Sequence, residues 1–107
     1  MAVSTYSQAA VDALSAAMQQ DASIVAIGED IGRGGIFGQY RGLLERFGAS
    51  RVIDTPISEA TIVGAAVGMA LTGMRPVVEL RVVDFALCAM DEIVNQAAKI
   101  RFMFGGQ

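Results

Sequence analysis

The run Ile24-Val25-Ala26-Ile27-Gly28, followed by a loop with glycines at 32, 34, 35 and 38, sets the fold class of this chain. An unbroken apolar run this short, closed by Gly, describes a strand buried on both faces, as in a parallel sheet covered by helices. Upstream, residues 5–20 place Ala9, Ala10, Ala13, Leu14, Ala17 and Met18 at helical spacing, with Thr5 or Ser4 able to cap. Downstream, residues 39–47 carry Tyr40, Leu43, Leu44 and Phe47 on one side of a short helix that Gly48 stops. Arg51 to Asp54 is a second strand and Thr55-Pro56 turns the chain. Ser58 is placed to cap a helix that runs to about Leu71 and ends at Gly73. Pro76 to Leu80 is a third strand, and Asp84 is placed to cap a last helix, Phe85 to Met103. The order α-β-α-β-α-β-α predicts an α/β fold of three layers, a mostly parallel sheet with helices on both faces.

The composition narrows the function. Of 107 residues 53% are hydrophobic and 18% charged, which excludes a disordered chain. Eight basic against eleven acidic side chains leave a net charge of −3, which argues against nucleic acid as the main partner. There is no histidine, so Ser-His-Asp and Cys-His chemistry and imidazole-ligated zinc are excluded. The single Cys88 allows no intrachain disulfide, and among Ala86, Leu87, Ala89 and Met90 it reads as a small core residue. The longest uncharged stretch, Ala60 to Met74, falls short of the ~20 apolar residues of a membrane span. The expected location is the cytoplasm or a matrix-like compartment, away from membranes.

Candidate chemistry gathers at the predicted strand ends, where parallel sheets place ligands. The segment Asp54-Thr55-Pro56-Ile57-Ser58-Glu59 puts Glu59 in the first turn of a helix, near the positive end of its dipole. The ordinary reading is a carboxylate that complements that dipole. The helix that follows is so apolar that it reads as buried on all sides, and a carboxylate at its mouth then needs a partner. Ala60, Gly64, Gly68 and Thr72 form a stripe without bulk, suited either to packing on this chain's own sheet or to a subunit interface. Phe85, after the third strand, is either core or a pocket wall. Lys99 and Arg101 suit the end of the last helix. The glycine loop imitates a dinucleotide fingerprint, with Asp54 as its acid. However, its cluster starts four residues late, and Glu29 and Asp30 would repel a pyrophosphate.

Taken in order, Gly28-Glu29-Asp30, the Asp54–Glu59 segment, Arg75-Pro76-Val77-Val78-Glu79, Asp84-Phe85 and Asp91-Glu92-Ile93-Val94-Asn95-Gln96-Ala97-Ala98-Lys99 resemble the beta subunit of the thiamine-diphosphate-dependent E1 component of 2-oxo acid dehydrogenase complexes, pyruvate or acetoin type. The resemblance covers nearly the whole chain. It implies that residues 1–107 are the N-terminal part of a pyrimidine-binding, transketolase-like domain. The rest of that domain and a C-terminal domain are expected to follow. It also implies that Glu59 hydrogen-bonds N1′ of the cofactor's aminopyrimidine and so activates thiamine diphosphate. Phe85 would line the aminopyrimidine pocket, Ile57 would touch the cofactor, and Glu29 would lie near a subunit interface.

The resemblance also implies that the diphosphate and its Mg²⁺ are held by a partner alpha subunit through a Gly-Asp-Gly motif, which does not occur here, with no metal on this chain. The implied partners are that alpha subunit, a second beta subunit in an α₂β₂ assembly, and a lipoyl acyltransferase. Alone, the chain is expected to bind the cofactor weakly and to be inactive. Arg81 departs from the family's pattern. The alternatives are another transketolase-like pyrimidine domain and a non-catalytic α/β interaction module.

Overall fold

A computed structural model describes residues 3–106. Helix α1 (Tyr6–Gln20) starts where the Thr5 hydroxyl accepts a hydrogen bond from the Gln8 amide. It leads into strand β1 (Ile24–Gly28), the glycine loop, helix α2 (Leu43–Phe47) and strand β2 (Val52–Asp54). Helix α3 (Glu59–Leu71) and strand β3 (Arg75–Val78) follow. The three strands form one parallel sheet in the order β2-β1-β3, with Ala26 opposite Val52 and Ile27 opposite Val78.

β1 is the central strand because its alternate residues feed two cores. Ala26 packs on one face with Met18 of α1, Leu43 of α2, Val52, Ile31 and Tyr40. Ile27 points to the other face, where it meets Ile62 and Ala66 of α3. Helices therefore cover both faces of a parallel sheet, as the alternation of elements predicts. Val25, Ala26 and Ile27 are all buried, which is what an unbroken apolar run requires.

Arg51, just before β2, ties the first layer together. Its guanidinium donates to the carbonyls of Met18 (2.9 Å), Asp21 (2.8 Å) and Ile24, and lies 5.1 Å from the centre of the Phe47 ring. These carbonyls stand at the end of α1 and the start of β1, where helix-end acceptors lack intrahelical donors.

Five expectations are corrected. The helix expected over 39–47 begins only at Leu43, because residues 38–42 are wound into turns and Gly42 takes the left-handed conformation (φ 78°) that helix interiors exclude. Strand β3 ends at Val78, so Leu80 lies outside it.

α3 is not buried on all sides: Ile62, Val63 and Ala66 are buried, while Thr61, Ala65, Gly68 and Leu71 are exposed. An even spread of apolar residues around a helix signals burial only if both sides find a neighbour. Here the sheet covers the side of Ile62 and Ala66 and residues 83–97 cover part of the rest, which leaves Thr61, Ala65, Gly68 and Leu71 uncovered among the described residues.

The single last helix breaks into a 3₁₀ segment (Val83–Ala89), a π-helical segment (Glu92–Ala97) and a short helix α4 (Ile100–Met103). Only Ala89 of these three is buried, so no packed face imposes one helical period. For the same reason Cys88, expected in the core, is exposed.

Candidate functional site

The carboxyl ends of all three strands converge on one edge of the sheet. The β ladder continues one step past each outer strand, through Thr55 N–H to the Gly28 carbonyl (3.0 Å) and Glu79 N–H to the Ile27 carbonyl (2.9 Å). Gly28, Thr55 and Glu79 are thereby drawn together. Gly28 must be glycine, since a Cβ there would stand 2.7 Å from Glu79 Cβ and 3.2 Å from its carbonyl oxygen.

Asp54, at the end of β2, is exposed and faces the glycine loop. Its Oδ1 accepts from the Gly32 amide at 2.8 Å and so pins the start of the glycine loop. This occupies the acid that a dinucleotide site would use for a ribose, and it leaves the glycines a structural duty.

Glu59 is the first residue of α3 and is half-buried. Ser58 occupies the cap position, but its hydroxyl bonds to Thr61 Oγ1 (2.8 Å) and not to a backbone amide. No ion pair engages Glu59 among the described residues. Ile57 is 77% exposed and Phe85 40% exposed, both on the surface and not in the core. The 83–89 segment carrying Phe85 packs against α3. Beside the mouth of α3 lies a cleft of about 370 Å³, lined by Ile27, Thr55, Pro56, Ser58, Thr61, Ile62 and Ala65. Thr55 Oγ1 is buried at that cleft without a hydrogen-bond partner among the described residues.

On the glycine stripe, a Cβ at Gly64 would meet Glu92 Cγ of this same chain at 3.5 Å, an ordinary contact, whereas Gly68 faces open space.

Glu29 belongs to a second group of charges. It is 8% exposed, and Arg81 Nε stands 3.6 Å from its Oε2. Arg81 also pairs with Asp30, whose other oxygen meets Arg33 at 2.5 Å. The bond from Arg81 holds the Asp30 carboxyl below its usual range.

Glu79 is equally buried, and that burial raises its carboxyl above the ordinary glutamate value against the lowering effect of bonds from Tyr40 and Gln39. Burial, and then the negative charge of Glu79, push the Tyr40 phenol well up. Among the described residues, no cluster of acids or cysteine could hold a metal ion.

Sequence reasoning missed Gln39, Tyr40, Glu79 and Arg81 as one unit. One signal was available. Arg81 is a cation inside the apolar run Leu80 to Val83, and Glu29-Asp30 is a pair of carboxylates in need of one.

An α/β layer with its open polar edge at the strand ends, and a free carboxylate at a helix mouth there, defines a ligand-binding domain of the parallel-sheet class. The chain belongs to the transketolase pyrimidine-binding domain family, whose model matches residues 3–106.

It is similar over almost its whole length to beta subunits of dehydrogenases. It is 42% identical to the acetoin:2,6-dichlorophenolindophenol oxidoreductase subunit beta of Bacillus subtilis (strain 168), over 98% of this chain and 34% of that protein. The 2-oxoisovalerate dehydrogenase subunit beta of the same strain is 43% identical over 95% of this chain and 32% of that protein. The pyruvate dehydrogenase E1 component subunit beta of Rickettsia bellii (strain RML369-C) is 46% identical over 96% and 32%. The chain thus spans about a third of the length of these relatives. No helix among the described residues is long and apolar enough to cross a membrane.

Proposed function

We propose that this chain is the pyrimidine-facing part of the beta subunit of a thiamine-diphosphate-dependent 2-oxo acid dehydrogenase E1. Its substrate class is pyruvate, acetoin or branched-chain 2-oxo acids, with acyl transfer to a lipoyl group. The observation that carries the reading is Glu59, a carboxylate at the sheet's carboxyl edge that no cation neutralises among the described residues. The similarity to three kinds of beta subunit supports the same reading.

The residues present fit an aminopyrimidine. The ring nitrogen N1′ needs one carboxyl group at hydrogen-bond reach, and the ring faces need apolar walls. Glu59 offers the first, and the exposed side chains of Phe85 and Ile57 offer the second. When bound, the cofactor supplies the electron sink for cleavage next to a carbonyl. Glu59 holds a proton at N1′, and this needs no histidine, which suits a chain that has none. Ile57 and Phe85 orient the ring and keep water from it.

The diphosphate and Mg²⁺ fall to an alpha subunit. A second beta subunit and a lipoyl acyltransferase complete the assembly, with Glu29, Gly64 and Gly68 on the beta side of its subunit contacts. The cytoplasm or a matrix-like compartment is the location that goes with this reading.

The test is Glu59→Gln in the assembled enzyme, with deuterium exchange at cofactor C2 followed by quenched-flow NMR. The expected result is a loss of exchange rate of about a hundredfold or more, the scale of general acid–base catalysis. An unchanged rate overturns the role.

A further inference from the structure

The buried charge group beneath the glycine loop has a feature that its packing alone does not need. Gln39 uses both ends of its amide. Its Oε1 accepts from the Phe37 backbone N–H at 2.9 Å, and its Nε2 donates to Glu79 Oε1 at 3.1 Å and stands 3.4 Å from Oε2. Tyr40, next along the chain, also faces the Glu79 carboxylate. The loop tip that Gln39 holds carries two exposed apolar side chains, Ile36 (47%) and Phe37 (65%). Within 36–38, Gly38 keeps backbone bonds with Gly35 and Arg41 at 3.3 Å each, while the Phe37 amide is held by Gln39, which ties it to Glu79.

We propose that Glu79 is a proton-operated latch for the glycine loop: ionised, it holds Gln39 and through it the Phe37 amide; protonated, it releases the 36–38 tip.

The charges around it make the latch responsive. Gly28 is pressed against the Glu79 Cβ. The groups that face it are Tyr40 from the loop, Arg81 from beyond β3 and Glu29 from the end of β1. Arg81 is shared with Glu29 and Asp30, and Asp30 in turn holds Arg33. One guanidinium thus serves two acids besides Glu79, so Glu79 is the acid left with least compensation. Burial above all, and then the charge of Glu29, make its carboxyl take up a proton at higher pH than an ordinary glutamate, against the lowering effect of Arg81.

Protonation turns a charge-assisted bond from Gln39 into a neutral one, about half as strong. It also adds an O–H that competes for Gln39 Oε1. If the amide turns to accept that O–H, its NH₂ end faces the Phe37 N–H, and two donors then oppose each other.

The experiment is hydrogen exchange on the complete polypeptide that carries this domain, in its native assembly. Peptides over 34–41 and 52–54 are followed from neutral to mildly acidic pH and corrected for intrinsic exchange rates. Protection of 34–41 is expected to fall roughly fivefold on acidification, the scale of losing charge assistance, while 52–54 stays level. Glu79→Gln is expected to show the low-protection state at every pH. Gln39→Leu, which leaves the acid in place, is expected to be equally unprotected and flat, and it decides the matter if Glu79→Gln does not fold. A flat wild-type profile, a slope that persists in Gln39→Leu, or a parallel change at 52–54 would overturn the latch.

Discussion

Residues 5–54 and residues 83–106 are both rich in apolar side chains, yet they end in opposite states. In the first, Met18, Ala26, Ile31, Leu43 and Val52 are each at most 2% exposed around one core. In the second, Leu87, Phe102, Met103 and Phe104 are each at least 67% exposed. Composition does not separate them. The first region closes on itself because Arg51 satisfies three carbonyls at the seam between α1 and β1, and Asp54 pins the loop that lies over the core. The last region has no strand of its own and packs only on one side of α3. An apolar sequence becomes core when something holds the opposing surface in place.

This contrast can be broken most forcefully at Leu43. Leu43→Ala is expected to cost about 3 kcal/mol, the scale of a large-to-small change in a core that cannot collapse. Urea unfolding of the protein measures it, and a loss below about 1 kcal/mol would mean that the first region is not the stable one.

A smaller effect concerns Asp21 in the same region. Its carboxyl is held at about 2 by hydrogen bonds from Ser23 and, after them, from Arg75. A depressed value in the folded state means that the contribution is present above the ordinary aspartate range and is lost as pH falls toward 2. Asp21→Asn is expected to flatten that acid limb of the stability curve, and an NMR titration of the Asp21 carboxyl checks the value directly.

The smallest effect is expected in the other region. Phe102→Ser, at a side chain 90% exposed, is expected to change stability by no more than about 0.5 kcal/mol. A loss as large as that of Leu43→Ala would erase the distinction between the two regions.

Much of the architecture was legible because it is local. The Ile24–Gly28 run, the Thr5 cap and the alternation of elements all carry their meaning within a few residues. What was illegible is non-local. Gln39 meets Glu79 across 40 positions, and Arg81 meets Asp30 across 51, so neither pair leaves a spacing signal. The last helix failed for a related reason. Periodicity states which face could be buried, and Phe85 to Met103 lacks the neighbour that would bury it.

Within the candidate site, Glu59 was legible from its place at a strand end before an apolar helix. The cleft beside it, and the orphaned Thr55 hydroxyl in it, depend on how α3 lies over Ile27.

The alternation of β1 has one more consequence. Because Ala26 belongs to one core and Ile27 to the other, β1 is a party wall with no spare side. Inserting a single residue into Ile24–Gly28 would send each side chain into the opposite layer, a bulky one into the space of a small one and the reverse. It would also carry Gly28 off the one place where Glu79 tolerates only a hydrogen. For anyone recombining or circularly permuting domains of this family, those five residues are the segment in which no crossover can be placed.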